Sequence, residues 1–489
     1  MIQVENSSTD PLNNSDTENT VLFVLLFLAT SIVSFRYWEN GLVVTPDTIT
    51  YYSASKSLIS GEGLRQGIEE SSPFLTHFPP VTPVLVALIQ LCFFPGLEAF
   101  SLLNCLCLVA FIILFFALTT KISTTSMAFF ASSVALLHPV TEQLFRSGLS
   151  EPLFLCLSLA TLLFVCNSKI LVSSVTAGLA LMTRYAGAHF FAFYPLLAVM
   201  VGQRKWRDLS LPLIAPAIFI LLWLGRNLYV TGTMSDRTIN SVSPSILTLC
   251  KEITHTVTTS LLLLPEHPLA ITIGAIVIAF PLLSFSRRPL IPLALCYVTS
   301  LAFPVVSRLF IDAEIPLNAR ILCLPFYLGI SIVLAQLLAH YQQGLPKRIF
   351  QGGGGLILVF AMISTHPDTS TSPFESATWR DLQENIAIST LLHESTAKYS
   401  NGYDFLSLYF NCEIESLPSR YDAGSREELP DSLPSFQEQL PSSALFIFTE
   451  KVHWRWYLWS EQALVNTLRL TSEYQDNEIR IYRFTKSNL

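Results

Sequence analysis

The chain has 489 residues, 51% of them hydrophobic and only 13% charged. A soluble domain carries nearer a quarter charged residues, so most of this surface must face something other than water. The net charge of −7 argues against a nucleic-acid partner, and the nine cysteines show no CxxC or Cys/His spacing of a metal site.

In chain order, residues 1–20 are polar and lack the basic start of a secretory signal, so they read as a disordered cytoplasmic tail. A helix needs about 20 apolar residues to cross the hydrocarbon core. Eleven apolar runs suit that role: 21–38, 99–119, 126–139, 152–166, 170–183, 187–201, 209–229, 269–285, 290–307, 321–341 and 355–364. Several are short and must be tilted or extended by polar flanks. Residues 81–94 are also apolar, but they follow His77-Phe78-Pro79-Pro80 and contain Pro83. They are read as a half-embedded segment.

Charge tests that arrangement, because short cytoplasmic loops carry the Lys/Arg excess. With the N-terminus inside and 81–94 not spanning, the inside loops hold Lys121, Lys169, Arg204-Lys205-Arg207, Arg287-Arg288 and Lys347-Arg348. The outside loops are then 39–78, 140–151, 230–268 and 308–320, the acidic connections of the module. If 81–94 spanned, every later loop would flip and the basic clusters would face outward. Residues 21–365 thus form a transmembrane module.

Residues 366–489 are polar and read as a soluble mixed α/β domain outside the cytoplasm. Apolar spacing predicts a helix over 379–396, and β-type runs lie at 444–448 and 479–484. Gly352–Gly355 open the last apolar run and are no phosphate loop, lacking the Lys-Ser/Thr that would follow. Most cysteines sit in apolar runs as small hydrophobes. Cys250 and Cys412 lie in polar segments, which leaves a disulfide between them open.

The chemistry-bearing residues gather in the outside loops. Thr45 and Pro46 are residue types that start a helix, which puts Asp47 in its first turn. The plain reading of Asp47 is a favourable helix-dipole contact. Glu151 stands between Ser150 and Pro152 where a helix re-enters the bilayer, and it reads equally well as a helix-entry carboxylate. Arg146, Arg184, Arg226, Arg308 and Arg320 lie near the same face. Each alone reads as an interfacial anchor. Charges at membrane depth cost about 2.5–3.5 kcal/mol on insertion scales, so they generally have partners or a task. Together with the two acids they suit phosphate-bearing lipid chemistry. Trp454, Trp456 and Trp459, with His453, read as core packing, as a sugar-stacking group or as interfacial anchors.

The order of short motifs resembles a known superfamily. One spanning helix leads to Pro46-Asp47, then Tyr51-Tyr52-Ser53-Ala54-Ser55 and Gly61-Glu62-Gly63-Leu64. His77-Phe78-Pro79-Pro80, Leu149-Ser150-Glu151-Pro152, Thr183-Arg184-Tyr185, Arg226-Asn227 and Arg320-Ile321-Leu322-Cys323-Leu324-Pro325 follow. This is similar to the multispanning GT-C glycosyltransferases, which include protein O-mannosyltransferases and aminoarabinose transferases. The likeness covers about residues 20–365, and Lys398-Tyr399-Ser400-Asn401 is similar to a segment of some prokaryotic members.

The resemblance implies an α-helical polytopic membrane fold and a sugar donor carried on a polyprenyl phosphate. The acceptor is the hydroxyl of a lipid, glycan or protein, and transfer inverts the anomeric carbon. Asp47 matches the family's catalytic base and Glu151 its second acid. Arg308 and Arg320, then Arg226 and Arg184, are expected to clamp the donor phosphate. Tyr51, Tyr52, His77 and Arg146 are candidates for holding acceptor or sugar. A divalent cation such as Mg or Mn on Asp47 and Glu151 is left open. A lipid-linked-sugar flippase and a non-catalytic scaffold are the alternatives.

Overall fold

The computed structural model describes residues 12–67, 72–202, 210–235, 244–312, 315–338, 345–364, 376–422 and 426–486. Arg204-Lys205-Arg207, which weighed in the topology, and the first residues of the tail lie outside the described residues. The chain divides into two compact units, 1–40 with 51–367 and 41–50 with 368–489.

The first unit is helical, and the first turn of its α2 belongs to the second. In order come α1 (Leu12–Glu39), α2 (Pro46–Ile59), α3 (Val81–Cys92), α4 (Glu98–Thr119), α5 (Thr125–Leu137), α6 (Pro139–Arg146), α7 (Glu151–Cys166), α8 (Ile170–Thr183) and α9 (Phe190–Met200). They are followed by α10 (Ile214–Thr231), α11 (Ile246–Thr256), α12 (Pro268–Ala279), α13 (Ile291–Phe310), α14 (Cys323–Leu338) and α15 (Leu345–Ser364). α4 packs on α1, α5 and α7, and α7 packs on α8, which in turn holds α10.

The surface of this unit is apolar. Leu91, Leu171, Leu221, Leu222, Leu283 and Leu356 are 64–73% exposed. Water would not tolerate such a belt, whereas lipid does, and helices satisfy their own backbone polar groups there. The unit is a multi-pass membrane module. Inside it, Phe111, Phe115 and Tyr327 are fully buried and pack ring to ring. Buried hydroxyls bond the preceding turn of their own helix, as Thr30 does to the Leu26 carbonyl at 2.7 Å and Ser133 to that of Phe129 at 2.8 Å.

Among the described residues, five helices have the length and composition to cross a membrane, and the six other expected spans are shorter apolar helices. α5, at 13 residues, reaches only about 20 Å of a core about 30 Å thick.

Several boundaries differ from expectation. The tail read as disordered is already helical from Leu12, in continuity with α1. The run at 187–201 begins as a tight 3₁₀ turn, Tyr185–His189, and the run at 269–285 ends as one, Phe280–Ser286. α15 starts ten residues before the expected 355, and its glycines lie inside it. Glycine is a poor helix former and so looked like a boundary. Its use here is close approach: a Cβ on Gly354 would stand 2.7 Å from the Phe129 ring of α5, and one on Gly353 3.4 Å from Phe130.

The second unit is built on a five-stranded sheet in the order β2-β1-β3-β5-β4. The strands are β1 (Ala397–Ser400), β2 (Glu415–Ser416), β3 (Ser443–Thr449), β4 (Thr471–Gln475) and β5 (Ile479–Thr485). β1 runs parallel to β2 and β3, while β5 runs antiparallel to β3 and β4. β3 is buried from Ala444 to Thr449, as a strand covered on both faces must be. The helix expected over 379–396 is two helices, Ser376–Glu384 and Ile386–Leu392. The Asn385 side chain accepts from the amides of Ala387 and Ile388 and restarts the chain as a new N-cap. Trp379 is fully buried and stacks on Phe405, with centroids 4.9 Å apart. Cys250 and Cys412 are both free thiols, so the disulfide left open by the sequence is not formed.

Candidate active site

Residues 147–151 link α6 to α7 and are buried throughout. The Asn104 amide of α4 holds this link by donating to the Ser147 carbonyl at 2.6 Å. Ser150 is the N-cap of α7, with Glu151 and Pro152 as its first helical residues. A carboxylate there gains from the positive end of the helix dipole. Burial is nearly complete, since the Glu151 side chain is 1% exposed.

Two arginines compensate that charge. Arg184 is the C-cap of α8, in extended conformation, and its Nη1 lies 2.6 Å from Glu151 Oε1. Arg320 donates its Nε–H to the same oxygen. Arg184 is 16% exposed and Arg320 29%. One carboxylate oxygen thus faces two guanidinia, and these cationic groups lie nearer the surface than the acid.

Ser150 is the hub beneath this cluster. It is fully buried and accepts from the Tyr51 hydroxyl at 3.1 Å and from Arg184 Nη1 at 3.2 Å. Its own Oγ–H points to Glu151 Oε2 at 3.5 Å. Tyr51 comes from α2, and its ring meets that of Phe78 at 5.0 Å, edge on. Phe78 in turn carries His77, 4.6 Å away.

Asp47 stands in the first turn of α2, one turn ahead of Tyr51. That turn is fixed by a reciprocal cap. The Thr45 amide donates to Thr48 Oγ1 at 2.9 Å, and the Thr48 amide donates to Thr45 Oγ1 at 3.3 Å. Tyr52 is buried under Lys56, whose ammonium sits 5.2 Å over the ring. Burial, and then the Glu98 carboxylate, push its phenol pKa up, so Tyr52 stays protonated.

The other predicted clamps are engaged elsewhere. Arg308 is paired with both carboxylate oxygens of Glu252 on α11, beside an open cavity of about 370 Å³ that His255, Leu317 and Asn318 also line. Arg226 donates to the backbone carbonyls of Leu75 at 2.7 Å and Leu64 at 3.3 Å. Its guanidinium lies over the rings of Phe74 and Trp223. It ties the first loop to α10. Arg146 pairs with Glu142 one turn earlier, at 3.4 Å.

Sequence reasoning missed the hub role of Ser150, read only as a helix-start residue, and missed Glu252 entirely. The motif Leu149-Ser150-Glu151-Pro152 carried the signal for the first. Nothing local in the sequence carries the second, because α11 and α13 meet only in the fold.

The cluster does not fit a divalent cation on Glu151. Oε1 already faces two guanidinia, and a dication there would add to their mutual repulsion. Among the described residues, no group of three or more His, Cys, Asp or Glu side chains could hold a metal.

An apolar cavity of about 380 Å³ lies between α5, α12, α13 and α14, lined by Phe130, His138, Leu261, Tyr297, Leu322 and Phe326 among others. His138 Nε2 lies 2.9 Å from the Leu261 carbonyl oxygen at its edge.

No family model matches the sequence, and no curated protein matches it either. Solved structures do match. ArnT from Cupriavidus metallidurans in the apo state is 15% identical with a TM-score of 0.54, covering 97% of this chain and 99% of that one. The same protein bound to undecaprenyl phosphate gives 15% and 0.52, covering 95% and 98%. The Archaeoglobus fulgidus oligosaccharyltransferase tethered to an acceptor peptide with the NVT sequon is 9% identical with a TM-score of 0.52, covering 88% of this chain and 69% of that one. A second structure of that enzyme is a complex with Zn and sulfate. At these identities the likeness is one of fold, and it is the GT-C fold that the loop motifs led us to expect.

Proposed function

We propose that the protein is a membrane glycosyltransferase that moves a sugar from a polyprenyl phosphate to an acceptor hydroxyl outside the cytoplasm. The observation that carries this reading is the gathering of two guanidinia, Arg184 and Arg320, on one oxygen of the buried Glu151. Such a cluster suits a phosphate ester, since guanidinium groups offer five N–H donors in a fork that matches phosphate oxygens. The similar fold of a protein bound to undecaprenyl phosphate supports the donor class.

In this reading Asp47 is the base. It takes the proton of the acceptor hydroxyl as that oxygen attacks the anomeric carbon. The bond from that carbon to the phosphate oxygen breaks on the opposite face, so configuration inverts. The leaving polyprenyl phosphate gains charge, which Arg184 and Arg320 stabilise, a contribution of roughly 10²–10³ in rate for one such donor. Proton removal contributes roughly 10²–10⁴. Glu151 is a positioning residue: it fixes the two arginines and touches no reacting atom. The apolar cavity lined by Phe130 and Phe326 suits part of an isoprenoid tail. The N-terminus then lies in the cytoplasm and the C-terminal domain outside.

The support for Asp47 is its place on α2 one turn before Tyr51, whose hydroxyl reaches Ser150. The test is mass spectrometry of lipids and surface glycans from cells carrying no gene, the wild type or Asp47→Asn. Loss of one glycoform without the gene, restored by the wild type and not by Asp47→Asn, is expected. Full restoration by Asp47→Asn would remove the base assignment.

A further inference from the structure

Trp456 keeps 51% of its surface in solvent, the one exposed aromatic side chain among the described residues of the C-terminal unit. Its sequence neighbours are used differently. Trp454 packs edge-on against Phe405, and Trp459 donates its Nε1–H to Ser432 Oγ at 2.9 Å. Core packing therefore accounts for two of the three tryptophans, and Trp456 stands at the surface.

The surroundings of Trp456 are a built surface. Arg420 and Tyr421 both donate their amides to the Tyr457 carbonyl, at 2.7 and 3.0 Å. This lays residues 419–421 beside 456–458 and sets the Tyr421 ring 6.0 Å from that of Trp456, inclined by 37°. Tyr421 also forms an antiparallel bridge with Glu428. The Arg426 guanidinium lies 5.7 Å from the Trp456 ring centre, and that of Arg420 lies 5.1 Å from Tyr421 and 5.2 Å from Trp459. Arg420 Nε also donates to Glu428 Oε1 at 3.0 Å. Two inclined aromatic rings thus each carry a guanidinium over one face, and Arg420 holds the Glu428 carboxylate beside them.

We propose that the Trp456–Tyr421 platform binds a pyranose ring of a saccharide chain, the acceptor side of the proposed transfer; only the word acceptor rests on that reading. A pyranose has an apolar C–H face that packs on an indole or phenol ring. Its edge hydroxyls take hydrogen bonds from guanidinium groups and give them to carboxylates, and Arg420, Arg426 and Glu428 supply both beside these rings. An anionic lipid surface would meet a segment that holds three acidic residues, Asp422, Glu427 and Glu428, against the basic surroundings such surfaces select. A protein partner would need about 800 Å² of its own surface buried, far beyond one indole and its neighbour.

The experiment uses the full chain in lipid nanodiscs, because maltoside detergents carry sugar head groups. Saturation-transfer NMR is recorded with methyl pyranosides of glucose, galactose, mannose and N-acetylglucosamine, and with maltotriose. Saturation of ring C–H protons of at least one sugar is expected, with loss in Trp456→Ala and Tyr421→Ala and partial return in Trp456→Phe. No saturation by the wild type, or equal saturation in Trp456→Ala, overturns the platform. So does quenching by brominated lipid that disappears in Trp456→Phe, which marks a membrane anchor. Asp47→Asn is expected to keep its sugar signal. A wild type that binds sugar but transfers none therefore counts against the catalytic reading alone, and a wild type that transfers but binds no sugar counts against the platform alone.

Discussion

Arg184 Nη1 lies 2.6 Å from Glu151 Oε1, and Arg320 donates to that same oxygen. Breaking a buried ion pair from one side leaves an uncompensated charge and costs about 3–5 kcal/mol. The guanidinia here are partly exposed, so the low end applies. Glu151→Gln is expected to lower the melting temperature of the purified protein and to weaken phosphate-lipid binding. The double change Glu151→Gln with Arg184→Gln is expected to recover part of the stability, since it removes a charge along with its partner. Glu151→Gln melting like the wild type would show that the cluster carries no such strain.

The turn that aims Arg184 depends on a glycine. A Cβ on Gly187 would stand 2.5 Å from the Leu181 amide nitrogen and 2.6 Å from its Cα. Both are backbone atoms of α8, which cannot rotate away. Gly187→Ala is expected to cost about 1–3 kcal/mol, the range of an overpacked core, and to reduce donor binding by displacing Arg184. The melting temperature and lipid affinity are measured together. A variant that melts normally and binds normally would show that the turn has slack.

Much of this was legible in the sequence. The apolar runs located the helices of the membrane module because an apolar run of that length has few other uses. The pairing of Glu151 with arginines followed from the rule that charges at membrane depth find partners. The choice of arginine did not follow. Arg308 and Arg226 were expected beside Arg320, yet Arg308 meets Glu252 and Arg226 meets two loop carbonyls. These partners lie 56 to 162 residues away in sequence, and no local pattern encodes such contacts. The glycines of α15 misled for a related reason, since their use is the approach of α5.

The turn between β4 and β5 carries a pH signature. Asp476 Oδ1 accepts from the amides of Glu478 and Ile479 at 2.7 and 2.8 Å, and its Oδ2 accepts from the Tyr474 hydroxyl at 2.8 Å. Partial burial opposes ionisation, but these bonds together hold the carboxyl pKa below its usual value. A depressed folded pKa gives stability that is present above about pH 4 and is lost as pH falls through the folded value. Thermal melting of the C-terminal unit within the full chain is expected to fall with acidification over that window, and less steeply in Asp476→Asn. Parallel curves for the two proteins would remove Asp476 from the acid response.

The membrane side of the C-terminal domain is tested by labelling. Ser416 is exposed on β2. Cys92 and Cys250 are exposed free thiols and Cys412 is partly so, and all three are first replaced by serine. Ser416→Cys is expected to react with an impermeant thiol reagent in intact cells. Reaction only after lysis would place the domain in the cytoplasm and reverse the topology argued from loop charge.

The most direct measurement is native mass spectrometry of the purified chain with undecaprenyl phosphate. The wild type is expected to hold one molecule, with affinity lowered about tenfold or more, or 1.4 kcal/mol, by Arg320→Ala or Arg184→Ala and far less by Arg226→Lys. Equal retention of the lipid by all four proteins, or none by the wild type, would contradict a phosphate site at Glu151 and its two arginines.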